Sequence, residues 1–212
     1  MMDKIQHELI ESVLHVMRMN GYKDEQVCNI YQCGSRLYGN VTDLSDYDYT
    51  VIVTKYSNDN PDHNIRSDDV DITILTVHDM KVALTNYNFQ ALINVLSDCK
   101  LQETVIFPIE IDRNLLRKSV SEISNKCLHT GKVLWKKGDY YKAKKNIIHS
   151  IRYVEFGIQI ILHNRIVDVA VSNGLFDEIM NNDSIIWEEY RDKYGLLAKQ
   201  LYKEKFLNLV LS

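Results

Sequence analysis

CGSRLYGNVTDLSDYDYTVIV, residues 33 to 53, joins a Gly-Ser turn at Gly34 and Ser35 to two aspartates, Asp46 and Asp48, and then to the β-branched run Thr50 to Val53. Side chains alternate faces along a strand, so Asp46 and Asp48 are expected to point one way while Tyr47 and Tyr49 point the other. Two carboxylates on one face repel each other and are costly to leave unpaired. A divalent cation between them removes that cost. All-oxygen ligands suit Mg²⁺ or Mn²⁺, which keep several waters and complete their shell with substrate phosphates. The Gly-Ser turn offers such a phosphate tail close backbone approach, free N–H donors and a hydroxyl. The bland alternative is a turn before a strand whose exposed edge happens to carry two aspartates.

A Gly-Ser pair, a gap of roughly ten residues and Asp-x-Asp entering an apolar strand is similar to the signature of the DNA polymerase beta-like nucleotidyltransferase superfamily. Within it, GSRLYG followed by SDYDY most resembles the group of predicted nucleotidyltransferases whose core reads Gly-Ser-Arg-x-Tyr-Gly, then Ser-Asp-x-Asp-Tyr. The resemblance covers about residues 30 to 100, and more loosely the helical part. It implies transfer of a nucleoside monophosphate from an NTP, ATP first among them, to an acceptor hydroxyl, with pyrophosphate leaving. It also implies a two-metal Mg²⁺ (or Mn²⁺) site on Asp46, Asp48 and a third carboxylate from a neighbouring strand, with Gly34 and Ser35 on the β and γ phosphates. Asp71, inside the apolar run DVDITILT, matches the third position and would activate the acceptor hydroxyl; Asp69 shares its face at the frayed edge of that run. The Pro typical of the following turn is absent from NYNFQALINVLSD, which touches only that turn.

With 212 residues the chain can bury a real core, and one catalytic domain with a helical appendage is the expected scale. No apolar run is long enough to span a membrane, and the N-terminal stretch, with acids scattered through it, does not read as a signal peptide. Cys28, Cys33, Cys99 and Cys127 form no CxxC pair and have no His at zinc spacing, so they read as reduced thiols in a cytoplasmic protein. The formal net charge of −4 hides an asymmetry. Residues 1–112 carry 8 Lys and Arg against 18 Asp and Glu, residues 113–165 carry 12 against 3, and residues 166–212 carry 5 against 8. A basic block after an acidic, metal-binding half suits a polyanionic substrate; a solvated lysine-rich helix surface is the competing explanation.

Taken in order, residues 3–19 read as an amphipathic helix stopped by Asn20-Gly21, and Val27 to Gln32 as the first strand. Residues 36–45 read as a loop with at most one helical turn. Arg36 there either reaches a phosphate or pairs with Asp43 or Asp46 to hold the loop. Asp46 to Thr54 is the second strand, KYSNDNPDHNIRSDD an exposed loop whose His63 is solvated, and Asp69 to Thr76 the third strand. Residues 78–85, 88–97 and 113–130 read as helices, and the longest helix runs from about Asp139 to Asn164.

In that longest helix Ile147, Ile151, Val154, Ile158 and Ile161 make a core face, while Lys142, Lys145, His149 and Arg152 repeat on the face nearly opposite. The resembled group carries a His followed three residues later by an Arg in its helical part. Lys145, His149 and Arg152 are therefore read as binding triphosphate oxygens or an acceptor phosphate. The basic block is interleaved with Trp135, Tyr140, Tyr141 and Tyr153, on which bases can stack, so an RNA end is the favoured acceptor. A protein side chain, as in AMPylation, and a small molecule are the other acceptors, and a non-catalytic nucleotide-binding module is the alternative of a different class. No chemistry is read in residues 166–212. The expected fold is α/β (α+β): a small mixed sheet of three to five strands with helices on one side over residues 1–100, then a helical domain over 101–212.

Overall fold

Apolar positions at helical spacing make Lys4–Met19 (α1) a helix with one greasy stripe, and Ile10, Val13, Leu14 and Met17 are buried on it. The computed structural model, which describes residues 4–42, 45–57, 63–67 and 69–211, divides the chain into two units, Met1–Ile109 and Glu110–Ser212.

In the first unit, β1 (Val27–Cys33), α2 (Gly34–Tyr38), β2 (Tyr47–Val53), β3 (Asn64–Ser67), β4 (Val70–Thr76), α3 (Val77–Thr85), α4 (Phe89–Leu96) and β5 (Lys100–Glu103) follow α1. The strands form one sheet in the order β3-β4-β2-β1-β5; β2 and β4 are parallel and every other pair is antiparallel. This is an α+β fold with a mixed sheet.

The α1 stripe packs with Val27 and Ile30 of β1, Tyr49, Val51 and Val53 of β2, and Ile72 and Ile74 of β4. The opposite face carries Cys33 and Thr50, whose Sγ and Oγ1 lie 3.4 Å apart, and the Cys33 thiol donates to Asn94 Oδ1 of α4 at 3.5 Å. Helices thus cover both faces, where one had been expected. The reason is legible afterwards in the unbroken buried run Tyr49 to Val53, since a central strand covered on both sides loses its polar alternation.

Two strands lie where none was expected. β3 sits in the polar segment read as a loop, and β5 continues the sheet past residue 100, so the first unit ends at Ile109. Both are edge strands with exposed, polar side chains such as Arg66 and Lys100, which is how edges resist pairing with other chains and also why they carry no hydrophobic signal.

The second unit is helical: α5 (Arg113–Lys136), α6 (Tyr140–His163), α7 (Asn173–Met180) and a run from Trp187 to Leu211. Asp112 and Asp139 cap α5 and α6 with side-chain acceptors, and Asn164 ends α6 in the left-handed conformation. The last run is α8 (Trp187–Tyr190), α9 (Leu196–Gln200) and α10 (Leu207–Leu211), joined by π-helical turns at Arg191–Gly195 and Leu201–Phe206. α5 and α6 approach closely because small residues line their contact. Ser124 donates to the Ser150 carbonyl at 2.8 Å, and a Cβ on Gly157 would fall 2.7 Å from Val120.

α6 is the hub of this unit, packed by α5, α7 and the terminal run. The expectation of a basic solvent face opposite its core face is therefore corrected. Arg152 is 1% exposed and its Nη2 donates to Asn173 Oδ1 of α7 at 3.0 Å. His149 stacks on Tyr153 with ring centroids 5.6 Å apart and its Nδ1 is buried, while Lys145 lies over the Tyr141 ring at 5.6 Å. Lys142 is exposed and paired with Asp139 at 3.5 Å. Of the aromatics assigned to base stacking, Trp135 is buried against Tyr140 and Tyr190 and donates its Nε1–H to the Ile185 carbonyl.

Among the described residues no helix is long and apolar enough to cross a membrane, and all four cysteines are free and buried.

Candidate active site

β1 runs into α2 through Gly34, whose φ of +64° belongs to the left-handed region that favours glycine. A second constraint acts at the same residue. A Cβ built on Gly34 would overlap Asp48 Oδ2 and lie 2.7 Å from Asp48 Cγ, so the Asp48 carboxyl fills the space a side chain would take. The Gly-Ser turn and the aspartate of β2 are in direct contact.

Strand pairing extends that contact across the sheet. Cys33 is the register partner of Asp48, Asp48 of Asp71, and Asp71 of Arg66. Register partners share a face, so these four side chains form one transverse row over β1, β2, β4 and β3. Neighbouring strands are about 4.8 Å apart, which sets the Asp48 and Asp71 carboxyls side by side. Asp69 precedes β4, and its carbonyl accepts from the Tyr47 amide at 2.7 Å. Asp46 is exposed and immediately precedes β2, so the strand carries one of the two aspartates rather than both.

Asp71 meets Arg66 Nε at 3.5 Å, a pair whose arginine side chain is 82% exposed. Ion pairs at such exposure are worth ~0–1 kcal/mol, so a bound cation can take Asp71 over at little cost. Nothing in the sequence announces Arg66 as part of this row, since the alternation in NIRS, with only Ile65 buried, is too short to signal a strand.

Arg36 holds the loop between α2 and β2. Its Nη2 donates to the Ser45 carbonyl at 2.9 Å and its guanidinium lies 3.5 Å from the Tyr47 ring centroid. Of the partners expected for it, Asp43 lies outside the described residues. Behind the turn, Gln90 and Cys33 both donate to Asn94 Oδ1, at 3.1 and 3.5 Å, which ties α4 to the residue before Gly34. Burial pushes the Cys33 thiol up to about 12, so it stays protonated and serves as packing rather than as a nucleophile.

The residues of this row fit a divalent cation. Asp48 and Asp71 offer an all-oxygen donor set on one face next to the Gly34–Ser35 turn. Among the described residues no three acidic, histidine or cysteine side chains stand together as a ready-made cage. Mg²⁺ is usually bound by one or two carboxylates and completed by water and substrate phosphates. Gly34, Ser35, Arg36, Asp46, Asp48 and Asp71 all belong to the first unit, whereas Lys145, His149 and Arg152 belong to the second.

No family model matches the chain, and neither does any curated protein. Among solved structures it is similar to spectinomycin adenyltransferase AAD(9) from Enterococcus faecialis with ATP and spectinomycin, at 14% identity and a TM-score of 0.48, over 97% of this chain and 99% of that one. It is also similar to a nucleotidyltransferase-like protein from Exiguobacterium sibiricum 255-15, at 14% identity and a TM-score of 0.32, over 94% of this chain and 75% of that one. At that distance the function of this chain has to be read from its own residues.

Proposed function

We propose that the protein is a metal-dependent nucleotidyltransferase that moves a nucleoside monophosphate from an NTP, ATP first among them, to an acceptor hydroxyl. The observation that carries this reading is the register pairing of Asp48 with Asp71 on one face, with the Asp48 carboxyl seated against Gly34. In the reaction the acceptor oxygen forms a bond to the α-phosphorus, the bond from that phosphorus to the α,β-bridging oxygen breaks, and pyrophosphate leaves with the electron pair. Asp71 takes the hydroxyl proton. Gly34 and Ser35 bind the β and γ phosphates through backbone N–H groups and the Ser35 hydroxyl. Asp46, Asp48 and Asp71 hold Mg²⁺ or Mn²⁺. The metal, when bound, lowers the pKa of the attacking hydroxyl and neutralises charge on the leaving phosphates.

The acceptor we favour is the hydroxyl at an RNA end, on the strength of the basic block at residues 113–165. The test is incubation of the protein with each of four α-labelled NTPs, Mg²⁺, and total RNA or protein lysate. Label should pass to RNA with wild-type protein and not with Asp48→Asn. Transfer by Asp48→Asn at the wild-type rate, or no transfer from any NTP to any fraction, overturns the reading; label in protein keeps the reaction and replaces the acceptor.

A further inference from the structure

In the second unit, a groove between α5 and the terminal helical run holds two adjoining cavities. One, of about 320 Å³, is bordered by Ser121, Lys199, Tyr202 and Lys203; the other, of about 290 Å³, by Lys132, Trp187 and Lys199. Asn125, Leu128 and Lys199 border both, so they form one continuous groove. On α5 its wall is the line Ser121, Asn125, Leu128, Lys132, spaced at four, three and four, which is about 17 Å long at 1.5 Å per residue. A stacked strand rises about 3.4 Å per nucleotide, so this length covers several phosphates.

The opposite wall is built on the two π-helical turns. Arg191 and Gly195 belong to one, Tyr202 and Lys203 to the other, and α9 with Lys199 lies between them. π-turns are rare and frequently mark functional sites. Two of them along the wall of one groove are therefore informative, because each re-aims the side chains that follow it.

The charge of the groove points the same way. Lys132, Lys199 and Lys203 are exposed, and among the described residues none of them is in an ion pair. Arg191 is compensated by Asp192 at 2.6 Å, which leaves the three lysines as the unpaired charges among the residues that border the groove. They are spread over two helices and do not converge on one point, an arrangement that follows a chain of phosphates rather than gripping a single anion. Trp187 borders one end and Tyr202 the other, and aromatic side chains in a cationic groove are what unpaired bases stack on.

We propose that this groove binds a single-stranded polynucleotide through its phosphodiester backbone. The assignment deepens the reading above by giving the acceptor its binding surface, and rests on that reading only for the word acceptor. It also relocates nucleic-acid binding from the α6 stripe, whose Arg152 is interior, to the terminal run.

The experiment is fluorescence anisotropy of the full-length protein with short labelled single-stranded RNA and DNA and the corresponding duplex, at two salt concentrations, without NTP. Wild type should bind the single strands better than the duplex. Lys199→Glu with Lys203→Glu should weaken binding about tenfold or more and flatten the log–log salt slope by about 1.4, or 0.7 for each phosphate left without its lysine. Lys126→Glu with Lys137→Glu makes the same charge change on and just past α5, off the line of the groove, and should stay within about threefold of wild type. If the glutamate pair loses helical circular dichroism, Lys199→Gln with Lys203→Gln gives the reading instead. Absence of strand binding, equal weakening by both pairs, or displacement of the strand by polyglutamate as readily as by unlabelled RNA overturns the proposal. Asp48→Asn separates the two readings: it should abolish transfer and leave strand affinity unchanged. Label transfer without strand binding removes the groove alone.

Discussion

Gly34 carries two demands at one position, a positive φ and contact with a carboxyl, and either excludes a side chain. Gly34→Ala is expected to cost about 1–3 kcal/mol of stability from backbone strain, and to lose transfer activity because Asp48 is displaced. Denaturant unfolding and label transfer measure the two effects. If the damage runs through Asp48, the effects of Gly34→Ala and Asp48→Ala on stability combine non-additively, because the smaller side chain vacates the space, whereas simple addition would detach the glycine from the carboxylate. Asp48→Asn and Asp71→Ala each remove one of two like charges in register, so the metal-free variants should unfold no earlier than wild type. Asp71→Ala should still bind labelled NTP in Mg²⁺ while transferring nothing. Activity in Asp71→Ala together with its loss in Asp69→Ala would mean that the residue before the strand does the work. These residues were open to reading because glycine and closely spaced carboxylates keep their chemistry whatever surrounds them. Arg66 was not, since its only clue is a strand with one buried side chain.

α6 shows where reading from sequence fails at the scale of an element. A helix packed on several sides keeps only a narrow solvent face, yet periodicity in one helix records only its most apolar side. Arg152 looked like a surface cation and is instead a buried one bonded to Asn173, so Arg152→Ala should destabilise the protein by about 2–4 kcal/mol, from the cavity left by a large buried side chain and the loss of the Asn173 hydrogen bond. Lys142→Ala, on the exposed side, should cost about 0.5 kcal/mol or less. A loss of similar size from the two would contradict the packing. His149 makes the same point through pH. Burial, with repulsion from Arg152 and Lys145, pulls its pKa from 6.5 down to about 3. The unfolded chain then binds a proton between those values that the folded one refuses, so stability is full above about pH 6.5 and falls as pH drops towards 3. The slope approaches 1.4 kcal/mol per pH unit. Below about pH 4.5 that fall merges with the loss from Asp79 and Glu178, whose carboxyls are held low by hydrogen bonds from Thr76 and from Lys193, respectively. Glu155, whose carboxyl is held by burial above its ordinary 4.5, opposes that fall as pH drops through the same window, so the imidazole's share is read by difference: His149→Gln should remove the fall between pH 6.5 and 4.5 in urea unfolding curves.

Across the whole molecule the division at Ile109 is set by where the sheet ends. The expected boundary at residue 100 fell short because β5 is a polar edge strand, KLQE, tied internally by Lys100 and Glu103 at 2.8 Å, and so resembles a linker. Its pairing with β1 is backed by Asn29, fully buried, which accepts from the amides of Thr104 and Val105 and donates to the Val105 carbonyl, so the chain stays fastened to the first unit as far as Val105. Each unit has about 100 residues and a core of its own, large enough to fold alone. A fragment of residues 1–109 should therefore unfold cooperatively and bind labelled NTP in Mg²⁺, because Gly34, Ser35, Asp46, Asp48 and Asp71 all lie within it. A fragment of residues 110–212 should keep the strand affinity of the full chain, since both walls of the groove belong to it. A cut after residue 100 should do worse than one after 109: it strips β1 of its edge partner and leaves Asn29 buried with amides and a carbonyl missing, which costs roughly 1–3 kcal/mol for each unpaired group. Equal stability of fragments 1–100 and 1–109 would show that β5 is ornamental and return the boundary to residue 100.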